Sequence, residues 1–176
     1  DGRQGFISQD EAQKLSKWRE KVGHDAASIL RTAHSMMGIP YMWGGTSPKG
    51  VDCSGFVRTV LYLHDIIIPR NASQQAKVGK RIQPQDDYAD LQPGDLLFFG
   101  SKNQDGSPKR VVHVGISLGG CRFIHSLGYV HTGSFNPLDA DYDEYERNRF
   151  LFAARILPYV NQDTQILTTD NISLYQ

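Results

Sequence analysis

The apolar positions of this chain change period partway along. In the first part they recur every three to four residues. Ala12, Leu15, Trp18 and Val22 fit a helix over 9–22, opened by Ser8 or Asp10 and closed by Gly23. Asp25 caps a second predicted helix, from Ala26 to about Met37, with Leu30, Ala33 and Met37 on one side and Gly38 as the stop. Pro40 forbids helical continuation and leads into a loop holding Tyr41, Trp43 and the paired glycines Gly44 and Gly45. A third helix runs from Cys53 to about His64, where Phe56, Val60, Leu61 and Leu63 can share a buried face. Ile66-Ile67-Ile68 is a short apolar stop. Ser73 then caps a brief helix through Gln74, Gln75 and Ala76 that ends at Gly79, and 84–93 is polar and turn-rich.

From Leu96 the chain reads as strands. Leu96-Leu97-Phe98-Phe99 is a continuous apolar run bounded by glycines, and 102–109 is a solvent loop. Val111 to Leu118 and Cys121 to Leu127 form a hairpin around Gly119-Gly120, followed by a short strand at Tyr129 to Thr132. Asp139 to Arg149 is charged and carries no clear period. Phe150 to Tyr159 alternates as a closing strand. Helices first and strands afterwards make an α+β fold, with N-terminal helices packed on a central antiparallel sheet. Residues 1–24 read as an N-terminal extension or linker helix, 25–160 as the main domain, and 161–176 as a tail or a strap that docks elsewhere.

Composition narrows the class. At 176 residues the chain suits one domain with a real core. Nineteen basic and nineteen acidic side chains give no net field to recruit nucleic acid, and no polybasic run suggests a membrane surface. No apolar run approaches the ~20 residues of a spanning helix. The start at Asp1, without an initiator methionine or a signal-peptide pattern, points to a processed or truncated product. Cys53 and Cys121 permit one disulfide at most, and neither belongs to a CxxC motif.

Cys53 is the first candidate for chemistry. At a helix N-terminus, unpaired backbone N–H groups and the positive end of the dipole favour a thiolate, the form that attacks a carbonyl carbon. A free cysteine is equally at home as a small buried core residue, so a nearby base must decide. Of six histidines, His24, His34, His64 and His131 read as ordinary surface or half-buried residues. His113 and His125 each stand between apolar strand neighbours, where an imidazole must find a partner. They lie near-equivalent distances from the Gly119-Gly120 turn, so antiparallel pairing can bring them onto one face of adjacent strands. One ring can then activate the thiol while the other accepts its N–H and fixes the tautomer. Cys53, His113 and His125 are also three potential zinc ligands, but no second close thiolate supports a metal site.

Six blocks together resemble the NlpC/P60 cysteine peptidases, papain-like α+β hydrolases of bacterial cell-wall peptides. They are Gly38 to Gly45, Asp52-Cys53-Ser54-Gly55-Phe56, Pro69-Arg70 with Ser73 and Gln75, Gln92 to Phe99, His113-Val114-Gly115-Ile116 and Phe123-Ile124-His125. The resemblance implies Cys53 as nucleophile, His113 as general base, His125 as orienting partner, and Tyr41 with the Cys53 backbone N–H as oxyanion donors. It implies substrate contacts at Asp52 and Ser73, with Trp43 and Ser54 beside them. Asp52 suits an N-terminal L-Ala ammonium, and by itself is also a plain helix cap. The long form of the Cys53 block and Pro69 to Gln75 are most similar to the γ-D-glutamyl-L-diamino acid endopeptidases, also called dipeptidyl-peptidase VI. Hydrolysis of the γ-D-glutamyl–diamino acid bond of peptidoglycan stem peptides is the implied function, without cofactor or metal, in the cell envelope. An upstream SH3-like domain, usual in that subgroup, is an implied partner. The other readings are a papain-like amidase or acyltransferase with another acyl substrate, and a non-catalytic cell-wall binding module.

Overall fold

The computed structural model describes residues 4–173. Its helices are α1 (Leu15–Arg19), α2 (Ala26–Ser35), α3 (Cys53–Tyr62), α4 (Ala72–Gln75) and α5 (Glu144–Arg149). A two-stranded ribbon, β1 (Thr46–Ser47) with β2 (Gly50–Val51), precedes α3. The other strands are β3 (Lys80–Ile82), β4 (Leu96–Lys102), β5 (Pro108–Gly119), β6 (Arg122–Leu127), β7 (Tyr129–Ser134) and β8 (Phe150–Arg155). They form one antiparallel sheet in the order β3-β8-β4-β5-β6-β7. This is the expected α+β architecture.

Three helices begin by the same device. Asp25, Asp52 and Asp143 each precede the first helical residue and accept the backbone N–H three positions on, from Ser28 at 2.9 Å, Gly55 at 2.7 Å and Glu146 at 2.9 Å. The apolar run at 96–99 has no alternation because β4 is buried on both faces. Leu96 and Phe98 join Ile29, Ala33, Phe56 and Val60 under α2 and α3. Leu97 and Phe99 point the other way, among Phe123, Phe135 and Phe150.

Several boundaries differ from the sequence reading. The first predicted helix is only a 3-10 turn at Gln9–Glu11 and the five-residue α1. Neither buries a residue, so the segment lacks the packed face that stabilises longer helices. The buried face of α2 is Ile29, Ala33 and Met36, while Met37 is exposed. In α3, Val57 takes the place expected for Leu63, which is exposed because the helix ends at Tyr62. Asn71, not Ser73, caps α4; its N–H donates to Gln74 Oε1 at 3.3 Å. Strand β3 is too polar to announce itself, and it pairs with β8 while Arg81 lies over the Phe152 ring at 3.9 Å. β8 stops at Arg155, before a 3-10 turn containing Pro158. The charged stretch 139–149 contains α5.

Two segments fasten the sheet to the rest. Residues 38–41 run along β7, with Gly38 and Tyr41 N–H groups donating to Val130 and Gly128 carbonyls, both at 2.8 Å. After β8 the chain docks as a strap as far as 173; the end of that predicted segment, 174–176, lies outside the described residues. Ile67 and Leu167 exchange both backbone hydrogen bonds, at 2.7 and 3.1 Å. Thr169 donates its N–H and hydroxyl to buried Asp65, and Arg19 donates to the Thr169 hydroxyl. Ile166 is fully buried in the main core. Ile166→Ala is expected to lower unfolding free energy by about 2–4 kcal/mol. Urea denaturation measures it, and an unchanged midpoint would show that the strap contributes nothing to the core.

Candidate active site

The site is organised at the start of α3. Asp52 is buried, and its carboxylate accepts from the N–H groups of Gly55 and Gly44 at 2.7 and 2.9 Å. Arg70 grips the same carboxylate with two nitrogens, at 3.0 and 2.6 Å, and reaches Ser54 Oγ at 3.0 Å. These donors hold the Asp52 carboxyl below its ordinary range against the opposing effect of burial. Gln75, wholly buried, ties α4 to this point through the carbonyls of Ser54 and Pro69 at 3.1 and 2.9 Å. Gly55 lets the glycine loop close on the helix, since a Cβ there would lie 2.0 Å from the Gly45 carbonyl oxygen. Helix start, glycine loop and Arg70 therefore form one rigid corner with Cys53 in it.

Beside that corner opens a cleft of 620 Å³. Tyr41, Trp43, Asp52, Cys53, Ser54 and Ser73, all expected at the site, line it together. The stretch Arg110 to Val112 of β5 forms part of the opposite wall and leads directly to His113. Trp43 is 89% exposed, free to cover whatever enters. Expected beside the substrate contacts, it is left without core packing in this structure.

Cys53 is a free thiol, largely buried. Backbone N–H groups of Val114, Ser54 and Cys53 itself favour its thiolate, as the helix start implies. Burial outweighs them, and with the Asp52 charge it pushes the thiol up. The dipole alone thus does not ionise Cys53. Burial and the neighbouring Cys53 and Asp52 charges likewise push the Tyr41 hydroxyl up, keeping it a donor.

His113 and His125 do share a face. His113 Nε2 lies 2.9 Å from His125 Nδ1, both rings are buried, and they cross edge to face. The register is diagonal: Gly115, not His113, stands opposite His125, after a register shift near the Gly119 end of the hairpin. A Cβ at 115 would meet His125 Cβ at 3.1 Å, so glycine leaves room for the ring pair. His113 commits Nε2 to His125, so Nδ1 is the ring nitrogen outside that contact. β5 is the seam between the two halves: the Val114 amide faces Cys53, while the preceding residue carries the imidazole. Burial holds His113 down to about 3 and His125 to about 2, with Arg149 adding to the first effect and His113 to the second.

The structure thus sets Cys53 at a helix start beside the Val114 amide of β5, the strand that also carries His113, and joins His113 to His125 by a hydrogen bond. The NlpC/P60 family model matches residues 38–150. The chain belongs to the NlpC/P60 family. Over 121 residues it is 38% identical to the gamma-D-glutamyl-L-lysine dipeptidyl-peptidase of Bacillus subtilis (strain 168), covering 69% of this chain and 37% of that protein. An NlpC/P60 family protein of known structure from Bacillus cereus ATCC 10987 superposes with a TM-score of 0.64 at 31% identity, over 76% of this chain and 41% of that one. The NlpC/p60 domain of the peptidoglycan hydrolase SagA superposes with a TM-score of 0.59 at 32% identity, over 75% and 99% of the two chains. The chain thus spans well under half the length of its B. subtilis relative.

Within this NlpC/P60 domain other residues surround the pair. Sequence reasoning placed His64 and His131 among ordinary histidines. His64 is buried, tied to the Gly23 carbonyl and the Thr32 hydroxyl. His131 stands opposite His125 in β7, ring centroids 4.4 Å apart. Glu146, fully buried, has Oε1 3.9 Å from His113 Nε2, and Asp143 Oδ2 is 3.8 Å from His125 Nε2. Neither carboxylate was expected at the site, although the Asp-x-x-Glu spacing at 143–146 is a legible helix start. In the sequence Arg70 stands out only as the second residue of the Pro69-Arg70 block. His113, His125 and Glu146 place three ligand-type atoms within 4.8 Å of one another. Their donors already face each other, and Glu146 also holds Arg149 at 3.0 Å.

Histidines held below 6.5 keep their folded-state advantage above that pH and lose it as pH falls through 6.5 towards 3. Glu146, pushed up to about 7 by burial, acts oppositely between 4.5 and 7, but one group offsets only one of the two histidines. Thermal stability of the NlpC/P60 domain is therefore expected to fall as pH drops below 6.5. His125→Gln should flatten the slope near pH 5.5 by about 1.4 kcal/mol per unit, one proton's worth. Denaturation melts across pH test this; an unchanged slope contradicts a neutral buried His125.

Proposed function

We propose that this NlpC/P60 domain is a cysteine peptidase that hydrolyses the γ-D-glutamyl–diamino acid bond of peptidoglycan stem peptides with a free N-terminal L-Ala. The observation that carries the reading is the 2.9 Å contact of His113 with His125 behind a thiol that opens on a cleft. The name of the B. subtilis relative, a gamma-D-glutamyl-L-lysine dipeptidyl-peptidase, supports the bond, and the SagA domain's description as part of a peptidoglycan hydrolase supports the polymer. A peptidoglycan substrate places the protein in the cell envelope. No helix among the described residues is long and apolar enough to cross a membrane.

In the proposed reaction, His113 Nδ1 takes the Cys53 proton, and the thiolate attacks the γ-carbonyl carbon. His113 Nε2–H donates to His125 Nδ1 throughout, which fixes the ring and spreads its positive charge. The oxyanion accepts from the Cys53 backbone N–H and the Tyr41 hydroxyl. His113 returns the proton to the leaving amine as the C–N bond breaks, giving a thioester. Water, deprotonated by the same nitrogen, adds to the thioester, and the thiolate leaves. Reprotonation restores the resting pair.

Ser73 and Trp43 lie on the cleft where the L-Ala-γ-D-Glu portion would rest, and Ser54 joins Asp52 and Arg70 at its floor. The Asp52 carboxylate is already bound by Arg70, so a substrate ammonium shares it with the guanidinium rather than meeting an isolated anion. The neighbouring Arg70 in turn suits the α-carboxylate of γ-D-Glu.

Mass spectrometry of L-Ala-γ-D-Glu-L-Lys and its diaminopimelate counterpart, each free and N-acetylated, tests the proposal. Release of L-Ala-γ-D-Glu from the free-amine peptides is expected, with Cys53→Ala at least ~10³-fold slower and Tyr41→Phe about 10²-fold slower. Cleavage of acetylated peptides would remove Asp52 as amine anchor. No cleavage of any of the four would point to a different acyl substrate, or to a binding module.

A further inference from the structure

Behind the histidine pair lies a carboxylate that the reaction above does not use. Glu146 is 0% exposed on α5, with Oε1 divided between Arg149 at 3.0 Å and His113 Nε2 at 3.9 Å. Its other oxygen, Oε2, is buried without a hydrogen-bond partner. A half-satisfied carboxylate in an interior is destabilising, and an apolar side chain would fill the place better. Its position calls for a reason beyond packing.

That reason lies in the charge the reaction creates. Proton transfer from Cys53 makes His113 an imidazolium in a site where burial favours the neutral ring. From α3, the Cys53 thiolate balances this charge at Nδ1. From β6, His125 offers a lone pair but no charge, and β4 contributes only the Phe99 ring, 5.6 Å away. His131 on β7 and Arg149 on α5 bring no negative charge; both disfavour the cation. Asp143, at the start of α5, faces the far nitrogen of His125. Among the described residues, Glu146 is the one carboxylate within 4 Å of a His113 nitrogen.

We propose that Glu146 is a positioning residue whose ionised carboxylate is the counter-charge for the imidazolium of His113, so that Cys53 becomes reactive only when Glu146 is charged. The inference rests on Cys53 and His113 acting as nucleophile and base. No proton passes to Glu146; the transfer remains Sγ to Nδ1, and the carboxylate acts through space. Burial and Asp143 push Glu146 up to about 7 against the pull of Arg149. Above that pH the charged carboxylate favours the thiolate–imidazolium pair; below it, the neutral acid withdraws that support.

The test is the rate of Cys53 alkylation by iodoacetamide from about pH 5.5 to about 8.5, a range that spans ordinary histidine titration, in a Cys121→Ser background that leaves one thiol. It needs no substrate. The unsubstituted site is expected to lose reactivity on acidification with a midpoint near 7. Glu146→Gln should react at least about tenfold more slowly above neutrality and lose that midpoint, with partial rescue by Glu146→Asp. Arg149→Met, which removes the cation that holds Glu146 down, should move the midpoint to higher pH. A folded Glu146→Gln with unaltered rate and profile would overturn the proposal. So would an unmoved midpoint in Arg149→Met, which decides the matter if Glu146→Gln does not fold. Stem-peptide cleavage measured in parallel separates the two claims. The expected alkylation pattern without cleavage rejects the substrate reading alone, and cleavage with a Glu146-independent thiol rejects the counter-charge alone.

Discussion

Everything at this site depends on one buried carboxylate, that of Asp52. As helix cap it decides where α3 begins, and hence that Cys53 presents its sulfur to the first-turn N–H groups of Cys53 and Ser54. By accepting from Gly44 it draws the glycine loop, with Tyr41 and Trp43, to the same corner. By holding Arg70 it brings in the segment leading to α4. Removing a charge so placed would leave Arg70 half-buried and unpaired while releasing helix, loop and cleft floor together. A local cap has become the joint of the molecule.

The groups around that joint share a second trait: burial opposes charge on each of the reacting side chains. The thiol is pushed up and both imidazoles down, so the resting site is a neutral thiol beside neutral rings. Reactivity must come from interactions present only once the proton has moved. Those are the attraction of thiolate for imidazolium, and whatever anion stands behind the ring. This agrees with a nucleophile placed where water reaches the cleft but not the back of the histidine pair, and it keeps an exposed thiolate from reacting indiscriminately.

The fold was legible where period and burial agree. The two-faced run at 96–99, the glycine hairpin at 119–120 and the aspartate caps of α2 and α3 each carry a local signal that tertiary packing reinforces. Boundaries failed where the signal was weak. A helix pattern at 9–22 had no surface to pack on, and the polar strand 80–82 exists only because β8 offers an open edge. Cys53, His113 and His125 were readable as anomalies, polar groups amid apolar neighbours or at a cap. Glu146 and Arg149 were not, since in sequence they are ordinary charges of a short helix. Glu146 becomes buried and Arg149 half-buried only when α5 comes to lie beside the histidine pair.

The loop that carries Tyr41 has one more consequence. β7 is the last strand of the sheet, and an uncovered last strand is a template for further chains. Residues 38–41 occupy its backbone groups at Gly128 and Val130, and Asp141 and Asp143 do so at Ser134. Aromatic Tyr129 would otherwise present an inviting rim to another copy. Any change that loosens the tyrosine loop would thus do two things at once: misplace a hydroxyl in the cleft and unseal a β-edge for amyloid-like stacking. In this protein the segment that covers part of the β7 edge is the one that delivers Tyr41 to the cleft.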